Sequence, residues 1–297
     1  MNESRRLTAE EWSDFAHVFE KAGVFGMDSV QRFVDTRLDK IYDVFLLNGD
    51  IVLKKSDRDK EKFEKYFAGH DFSVPEISSC FQDGDDCWVT MPYINGTDAR
   101  DCSPDDAGLV GRELARIQSY YLGVGTNPDG CKGYFERKVL RFWEKSRNYF
   151  PEYSDAFEAI EDRFFSVPRT LIHDDFLPIN ALLDGKDAWL IDWTYADILP
   201  YFMDIGRFAF VGYEEGKRYI SHESAIAFLK SYYEEMSKNS QFTITSQDFL
   251  TDVAISAFCQ YSMFVYFRDD EKVQWSEDYI TLKKILEYLD KNMGAKT

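Results

Sequence analysis

The sequence predicts a mixed α/β (α+β) protein of two lobes, a small antiparallel sheet with an inserted helix followed by a larger, mainly helical lobe. Three observations lead there. Two apolar runs, Val44-Phe45-Leu46-Leu47 and Ile51-Val52-Leu53-Lys54, flank the turn Asn48-Gly49-Asp50, and Asn-Gly between such runs signals a hairpin because both residues tolerate positive φ. The turn-rich stretch Met91-Pro92-Tyr93-Ile94-Asn95-Gly96 then interrupts the pattern, as a connector between lobes would. Beyond it, apolar residues recur at helical spacing. Residues 1–91 are therefore expected to form the first lobe, 92–96 a hinge, and 97–297 the helical lobe.

Each element has its own signal. Thr8-x-x-Glu11 is a capping-box pattern that opens a helix carrying Trp12, Phe15, Val18 and Phe19 and ending near Gly23. Strand character runs from Val30 to Lys55, a charged helix from Asp57 to Phe67, and two further strands, Glu76 to Phe81 and Cys87 to Met91, flank the acidic turn at Asp83-Gly84-Asp85-Asp86. About five strands are expected in this lobe. Ser103-Pro104 starts the next helix. Further helices are expected over Phe135–Tyr149, Tyr153–Phe165, Ser224–Met236, Ser246–Phe267 and Ser276–Met293, with short strands and loops over Thr170–Asp192. The apolar run Val253–Phe267 is too short to span a bilayer and reads as a buried helix.

Composition narrows the partners. A chain of 297 residues, 44% hydrophobic and 16% aromatic, can bury a sizeable core. Its net charge of −18 repels phosphate-rich nucleic acid and anionic membrane and attracts a cationic small molecule. The five cysteines, Cys80, Cys87, Cys102, Cys131 and Cys259, are odd in number and contain no C-x-x-C pair, which argues against a disulfide framework or zinc site and fits a reducing cytoplasm. The polar N-terminus carries no signal-peptide pattern.

The segment with chemistry is His173-Asp174-Asp175-Phe176-Leu177-Pro178-Ile179-Asn180, followed by Ile191-Asp192-Trp193. It reads H-x-D-x4-N and then an apolar-Asp pair. Phosphoryl transfer requires a protein to orient a hydroxyl, hold magnesium and neutralise developing charge. Asp175 is placed to accept a hydrogen bond from a substrate hydroxyl, while Asn180 offers an amide oxygen and Asp192 a carboxylate to Mg2+, which prefers oxygen ligands. Upstream, Lys54 ends a strand as a phosphate-binding lysine should, and Lys55, its rival, faces the other way by strand alternation. Glu61 and Glu64 in the following helix are both candidates for the ion-pair partner of Lys54. Glu61 is favoured because Glu64 lies close to Tyr66-Phe67. His17, His70 and His222 show no partner spacing, and of Trp193, Tyr195, Tyr201, Phe202, Tyr261, Tyr266 and Trp275 most read as core aromatics, a cation-binding pocket being the alternative.

These residues resemble the aminoglycoside phosphotransferase and choline kinase superfamily over roughly Asp43 to Arg207. His173-x-Asp175-x4-Asn180 resembles its catalytic loop, and Ile191-Asp192-Trp193-Thr194-Tyr195-Ala196, continuing to Asp204-Ile205-Gly206, is similar to the choline-kinase form of the metal-binding segment. The resemblance implies a bilobal, protein-kinase-like fold using ATP and Mg2+. In it Asp175 and His173 belong to the catalytic loop, His173 packing and hydrogen-bonding behind the aspartate. It further implies that Asp204 begins a helix and hydrogen-bonds that loop, and that Met91 to Tyr93 contacts adenine through backbone groups. Three features depart from the pattern. The loop near Asp35-Thr36-Arg37-Leu38-Asp39-Lys40 has no glycine, leaving Arg37 or Lys40 to meet phosphates. Thr194 and Leu199 stand where choline kinases usually carry Glu and Asn. The span from Asp192 to Asp204 is too short for a protein-kinase activation segment, so the acceptor is expected to be small: an aminoglycoside-like amine first, choline or ethanolamine next, a sugar or homoserine third. A nucleotide-binding pseudokinase is the alternative from another class.

Overall fold

The computed structural model describes residues 3–35, 39–56, 59–124, 134–214, 217–268, 273 and 276–293. Cys131, Trp275 and, in the glycine-free loop, Arg37 lie outside them. In chain order the elements begin β1 (Glu3–Arg6), α1 (Ala9–Lys21), β2 (Val30–Asp35), β3 (Lys40–Leu47), β4 (Ile51–Lys55), α2 (Asp59–Tyr66), β5 (Ser79–Asp83), β6 (Asp86–Pro92) and β7 (Thr97–Asp98). They continue α3 (Pro104–Tyr120), α4 (Tyr134–Tyr149), α5 (Ser154–Ser166), β8 (Arg169–Ile172), β9 (Ala181–Leu183), β10 (Ala188–Leu190), β11 (Asp197–Pro200) and α6 (Met203–Phe210). The last are β12 (Gly212–Glu214), β13 (Lys217–Arg218), α7 (His222–Met236), α8 (Ser246–Phe267) and α9 (Glu277–Met293). An antiparallel-sheet N-terminal region thus precedes a helical C-terminal region.

The chain forms two compact units, Met1–Arg100 with Ile179–Tyr195, and Asp101–Pro178 with Ala196–Thr297. This differs from a single boundary at 92–96, for a reason visible in the pairing. β7 pairs with β9, and the Ala99 N–H donates to the Ala181 carbonyl at 2.9 Å, so residues just past the connector and the 179–195 segment share a separate three-stranded sheet, ordered β10-β9-β7, within the first unit.

In the first unit six strands pair in the order β1-β2-β3-β4-β6-β5. The sequence suggested about five. The addition is β1, whose polar residues Glu-Ser-Arg-Arg carry no apolar alternation, as suits a strand at a sheet edge. The Asn48-Gly49 turn forms with both residues at positive φ, 53° and 85°. β5 starts later than Glu76 and reaches Asp83, which pairs with Asp86 across a two-residue turn where Gly84 has φ 60°.

The capping box of α1 is complete, with the Glu11 N–H donating to Thr8 Oγ1 at 3.2 Å and the Thr8 N–H to Glu11 Oε2 at 2.9 Å. α1 packs Val18 and Phe19 on Phe45, Leu47, Leu53 and Trp88, which share one sheet face. Strand alternation puts Lys54 on the other face. Lys55, on the core-helix side, reaches instead to Asp86 at 2.7 Å. Nearby, the fully buried Arg100 guanidinium meets Asp98 Oδ2 at 2.7 Å and Asp35 Oδ2 at 2.8 Å, fixing the end of β2. Burial works against that guanidinium, but Asp98 and Asp35 together hold its pKa above the ordinary value.

In the second unit β8 and β11 pair antiparallel, and helices α3 to α9 enclose an aromatic core. Phe176, Phe208 and Phe228 stack in series, with Phe208 and Phe228 centroids 4.3 Å apart. Helix α8 is buried along much of its length, with Ile255, Phe258 and Val265 fully covered. Among the described residues no helix is long and apolar enough to cross a membrane. Tyr201 and Phe202 are core residues, whereas Tyr195 is exposed.

Two glycines permit the helix contacts. A β-carbon at Gly111 of α3 would land on the backbone carbonyl of Phe228 in α7, and one at Gly206 of α6 would land on Ser256 of α8. Gly111→Ala is therefore expected to lower the unfolding free energy by about 1–3 kcal/mol through overpacking, read as a reduced midpoint in urea at unchanged m-value.

Candidate active site

In the second unit the catalytic-loop candidate is built around a buried carboxylate. Asp204 stands in the first turn of α6 and is fully buried. Its Oδ2 accepts the His173 N–H at 2.8 Å and Gln118 Nε2 at 2.9 Å, and its Oδ1 accepts the Asp174 N–H at 3.0 Å. Gln118 is itself fixed, because its amide oxygen accepts the Tyr232 hydroxyl and its backbone carbonyl accepts the Thr170 hydroxyl. Burial pushes the Asp204 carboxyl above its ordinary value, opposed by His173 and by these donors.

The anchored loop turns sharply: Asp174 has φ 64°, a left-handed conformation that Asp and Asn tolerate better than other non-glycine residues. His173 is fully buried and packs on Phe176, their ring centroids 5.5 Å apart. Asp175, the next residue, is held by Arg207, whose Nε lies 3.0 Å from Asp175 Oδ1 and whose terminal nitrogen makes a second, closer contact with the same oxygen. Arg207 also reaches Gln260 Oε1 at 3.4 Å. Arg207 follows Asp204 by three residues on α6, so one turn of helix carries both the anchor of the loop and the partner of its aspartate.

In the first unit the metal and phosphate candidates come from β4, α2 and the β9–β10 hairpin. Lys54 Nζ lies 2.6 Å from Asp192 Oδ1 and 2.9 Å from Asp59 Oδ2. Burial by itself would depress the Lys54 ammonium, yet the charges of Asp192 and Asp59 hold its pKa above the ordinary value. The Thr194 hydroxyl contacts both carboxylates, 2.7 Å from Asp192 Oδ1 and closer still to Asp59 Oδ1. The hairpin explains how Asn180 approaches Asp192: Ala181 pairs with Leu190, and the Ile191 N–H donates to the Asn180 carbonyl at 2.9 Å. Asp192 then turns with φ 66°, leaving its side chain 38% exposed.

One sequence expectation is corrected. The helix partner of Lys54 is Asp59, in the first turn of α2, and neither Glu61 nor Glu64. Both glutamates are exposed, and Glu64 sits 3.6 Å from Lys60. Helical geometry decides this, because Asp59 is buried while positions 61 and 64 point to solvent. The signal was a serine at 56 whose hydroxyl accepts the Asp59 N–H at 3.2 Å, pinning the helix start beside Lys54.

Met91 lines a cavity of about 30 Å3 with Asp59, Phe63, Phe67, Val74, Pro75, Ile77, Asp192 and Trp193. The Tyr93 N–H already donates to the Asp50 carbonyl at 2.8 Å, and Pro92 has no N–H, so an adenine contact at these two residues falls to carbonyl groups. Arg207, Gln118 and Tyr232 were missed, since each acts through a contact distant in sequence. Among the described residues no cluster of three or more His, Cys, Asp or Glu side chains forms a ready-made metal cage.

The first unit thus joins a strand lysine to an aspartate that follows a short hairpin, and the second carries an H-x-D loop anchored on a helix. A profile of the phosphotransferase enzyme family matches residues 55–237, more than half of the chain, and the chain belongs to that family. No protein with a curated description matches it in sequence. Among solved structures it is similar to a choline/ethanolamine kinase family protein from Mesorhizobium loti (15% identity, TM-score 0.57, covering 97% of this chain and 94% of that one). It is also similar to choline kinase LicA from Streptococcus pneumoniae (14% identity, TM-score 0.54, 95% and 100% covered). A third is APH(2")-IIa in its streptomycin–ATP ternary complex (14% identity, TM-score 0.50, 90% and 94% covered). At such identities the likeness establishes the kinase-like fold, and the family establishes a phosphotransferase.

The half-buried Asp174 gives a pH test. Burial, with Asp204 and Asp175 nearby, raises its carboxyl to about 8, against the opposing charges of Lys138 and Arg207. A carboxyl raised on folding favours the native state only while protonated, so stability is lost as pH climbs from the ordinary value of 3.8 toward 8. Asp174→Asn keeps the tolerated backbone and removes the titration. Its melting temperature should exceed that of the unaltered protein at pH 8.5 and approach it near pH 4.

Proposed function

We propose that the protein transfers the γ-phosphoryl group of ATP to a hydroxyl of a small, amine-bearing molecule, with an aminoglycoside-like compound as the first candidate acceptor. The observation that carries this reading is the 2.6 Å pairing of Lys54 with Asp192, residues 138 apart in sequence that meet as a phosphate anchor and a metal carboxylate would. Lys54 steadies the nucleotide phosphates while Asp59 and Thr194 keep it and Asp192 in register. Asn180 and Asp192 would hold Mg2+. Their hard oxygen donors, and the exposure of the Asp192 carboxylate, suit an ion that takes few protein ligands and keeps its waters. When bound, the ion neutralises the charge of the phosphates and orients them.

Asp175 accepts the hydrogen bond of the acceptor hydroxyl and draws off its proton as the oxygen attacks. The Arg207 fork holds the carboxylate oriented for that role. Arg207 must share its carboxylate with the incoming hydroxyl.

The charge of −18 supports a cationic acceptor. Choline ranks second because Thr194, in the place of the choline-kinase Glu, is committed to Asp59 and Asp192, and because Leu199 is buried in β11. Sugars and homoserine rank third. The odd, scattered cysteines support a cytoplasmic setting.

ADP release measured across a panel of aminoglycosides, choline, ethanolamine, sugars and homoserine tests the acceptor. Turnover confined to uncharged acceptors, or absent throughout with tight ATP binding, would overturn the reading. Asp175→Asn should reduce kcat by about 10^2–10^4-fold, the usual worth of a general base, with little change in the KM for ATP. Asp59→Ala should instead raise the KM for ATP several-fold, since Lys54 loses one of its two carboxylate partners.

A further inference from the structure

We propose that Cys80 and Cys87 form a reversible disulfide, making the β5–β6 hairpin a redox modification site on the sheet face that carries Lys54. Their Sγ atoms lie 3.1 Å apart, and both residues are partly exposed, within reach of a small oxidant. The register explains the encounter. Cys80 pairs with Val89 and Gln82 with Cys87, so the two cysteines sit diagonally on one face, and Val89 in turn stands opposite Lys54. Trp88 and Phe81, between them in the strands, face the α1 core instead. A disulfide needs a sulfur separation of about 2.05 Å, so the sulfurs close by roughly 1 Å while the strand pairing is kept.

The chemistry is thiol–disulfide exchange with a small-molecule disulfide such as oxidised glutathione. One cysteine thiolate attacks a glutathione sulfur, breaking its S–S bond and releasing the first glutathione thiolate. The other cysteine thiolate then attacks the cysteine sulfur of the mixed disulfide and expels the second. The protein loses two thiol protons and two electrons; oxidised glutathione gains both and becomes two reduced glutathione molecules. Other described cysteines do not compete: burial pushes the Cys259 thiol far above its ordinary value, and Cys102 lies in the other unit.

The pair is wired to the nucleotide lysine. The Cys87 carbonyl accepts the Ser56 N–H at 2.8 Å, Ser56 Oγ accepts the Asp59 N–H at 3.2 Å, and Asp59 Oδ2 holds Lys54 at 2.9 Å. Drawing Cys87 toward β5 pulls on the residue that fixes the start of α2, so oxidation loosens the hold of Asp59 on Lys54 and weakens nucleotide binding.

Trypsin provides a clean assay, because the peptide 66–100 has no internal Lys or Arg and contains Cys80 and Cys87 as its only cysteines. After oxidised glutathione, this peptide is expected to lose the mass of two hydrogen atoms and take up no maleimide, and after dithiothreitol to take up two. The oxidised protein should melt a few degrees higher, and its KM for ATP should rise several-fold and recover on reduction. Cys80→Ser, nearly isosteric, should fold normally and show none of these responses. A peptide that keeps two reactive thiols, or that carries glutathione without closing the ring, overturns the disulfide. A closed disulfide with an unchanged KM for ATP overturns its link to Lys54. The mass measurement stands apart from the phosphotransferase reading, and only the KM effect rests on it.

Discussion

A single buried carboxylate organises the second unit. Asp204 is fully buried, so its cost is offset by donors supplied by the fold, among them the backbone N–H groups of His173 and Asp174 and the amide of Gln118. Satisfying Asp204 and shaping the loop at 173–175 are one event. The loop can turn through a left-handed Asp174 because two of its N–H groups are held by the same side chain, and the turn delivers Asp175 to Arg207. Tyr232 and Thr170 extend the network through Gln118, so α3, α6, α7 and β8 all bear on the position of one residue.

The sheet unit solves a comparable problem with opposite charges. Lys54 is largely covered and would favour losing its proton, but two carboxylates flank it and keep it cationic. The Thr194 hydroxyl bridges Asp192 to Asp59, an acidic residue contributed by α2, so that the two carboxylates are tied to each other as well as to Lys54. Asp59 can play this part because Ser56 fixes the helix start directly after the strand that ends in Lys54 and Lys55.

Much of the fold was readable because it rests on local chemistry. The Asn48-Gly49 turn, the Thr8 capping box and the helical repeats of α3, α4, α5, α7, α8 and α9 are each encoded within a few residues. What escaped were features without a local signature. β1 is polar and exists because β2 offers it an edge. The boundary between units follows a pairing of β7 with β9, strands more than 80 residues apart in sequence. The choice of Asp59 over Glu61 and Glu64 turned on which side of a short helix faces the sheet, a matter of burial that periodicity in eight residues cannot resolve.

By itself, then, the sequence determined the class and order of most elements, because dihedral preferences and caps act over a few residues. Only the tertiary structure decided which side chains meet: Lys54 with Asp59, Asp175 with Arg207, Asp204 with Gln118, Cys80 with Cys87. Such pairings depend on strand register and on which groups lose their water together. Both are settled when the whole chain packs, and neither is written in any one segment of it.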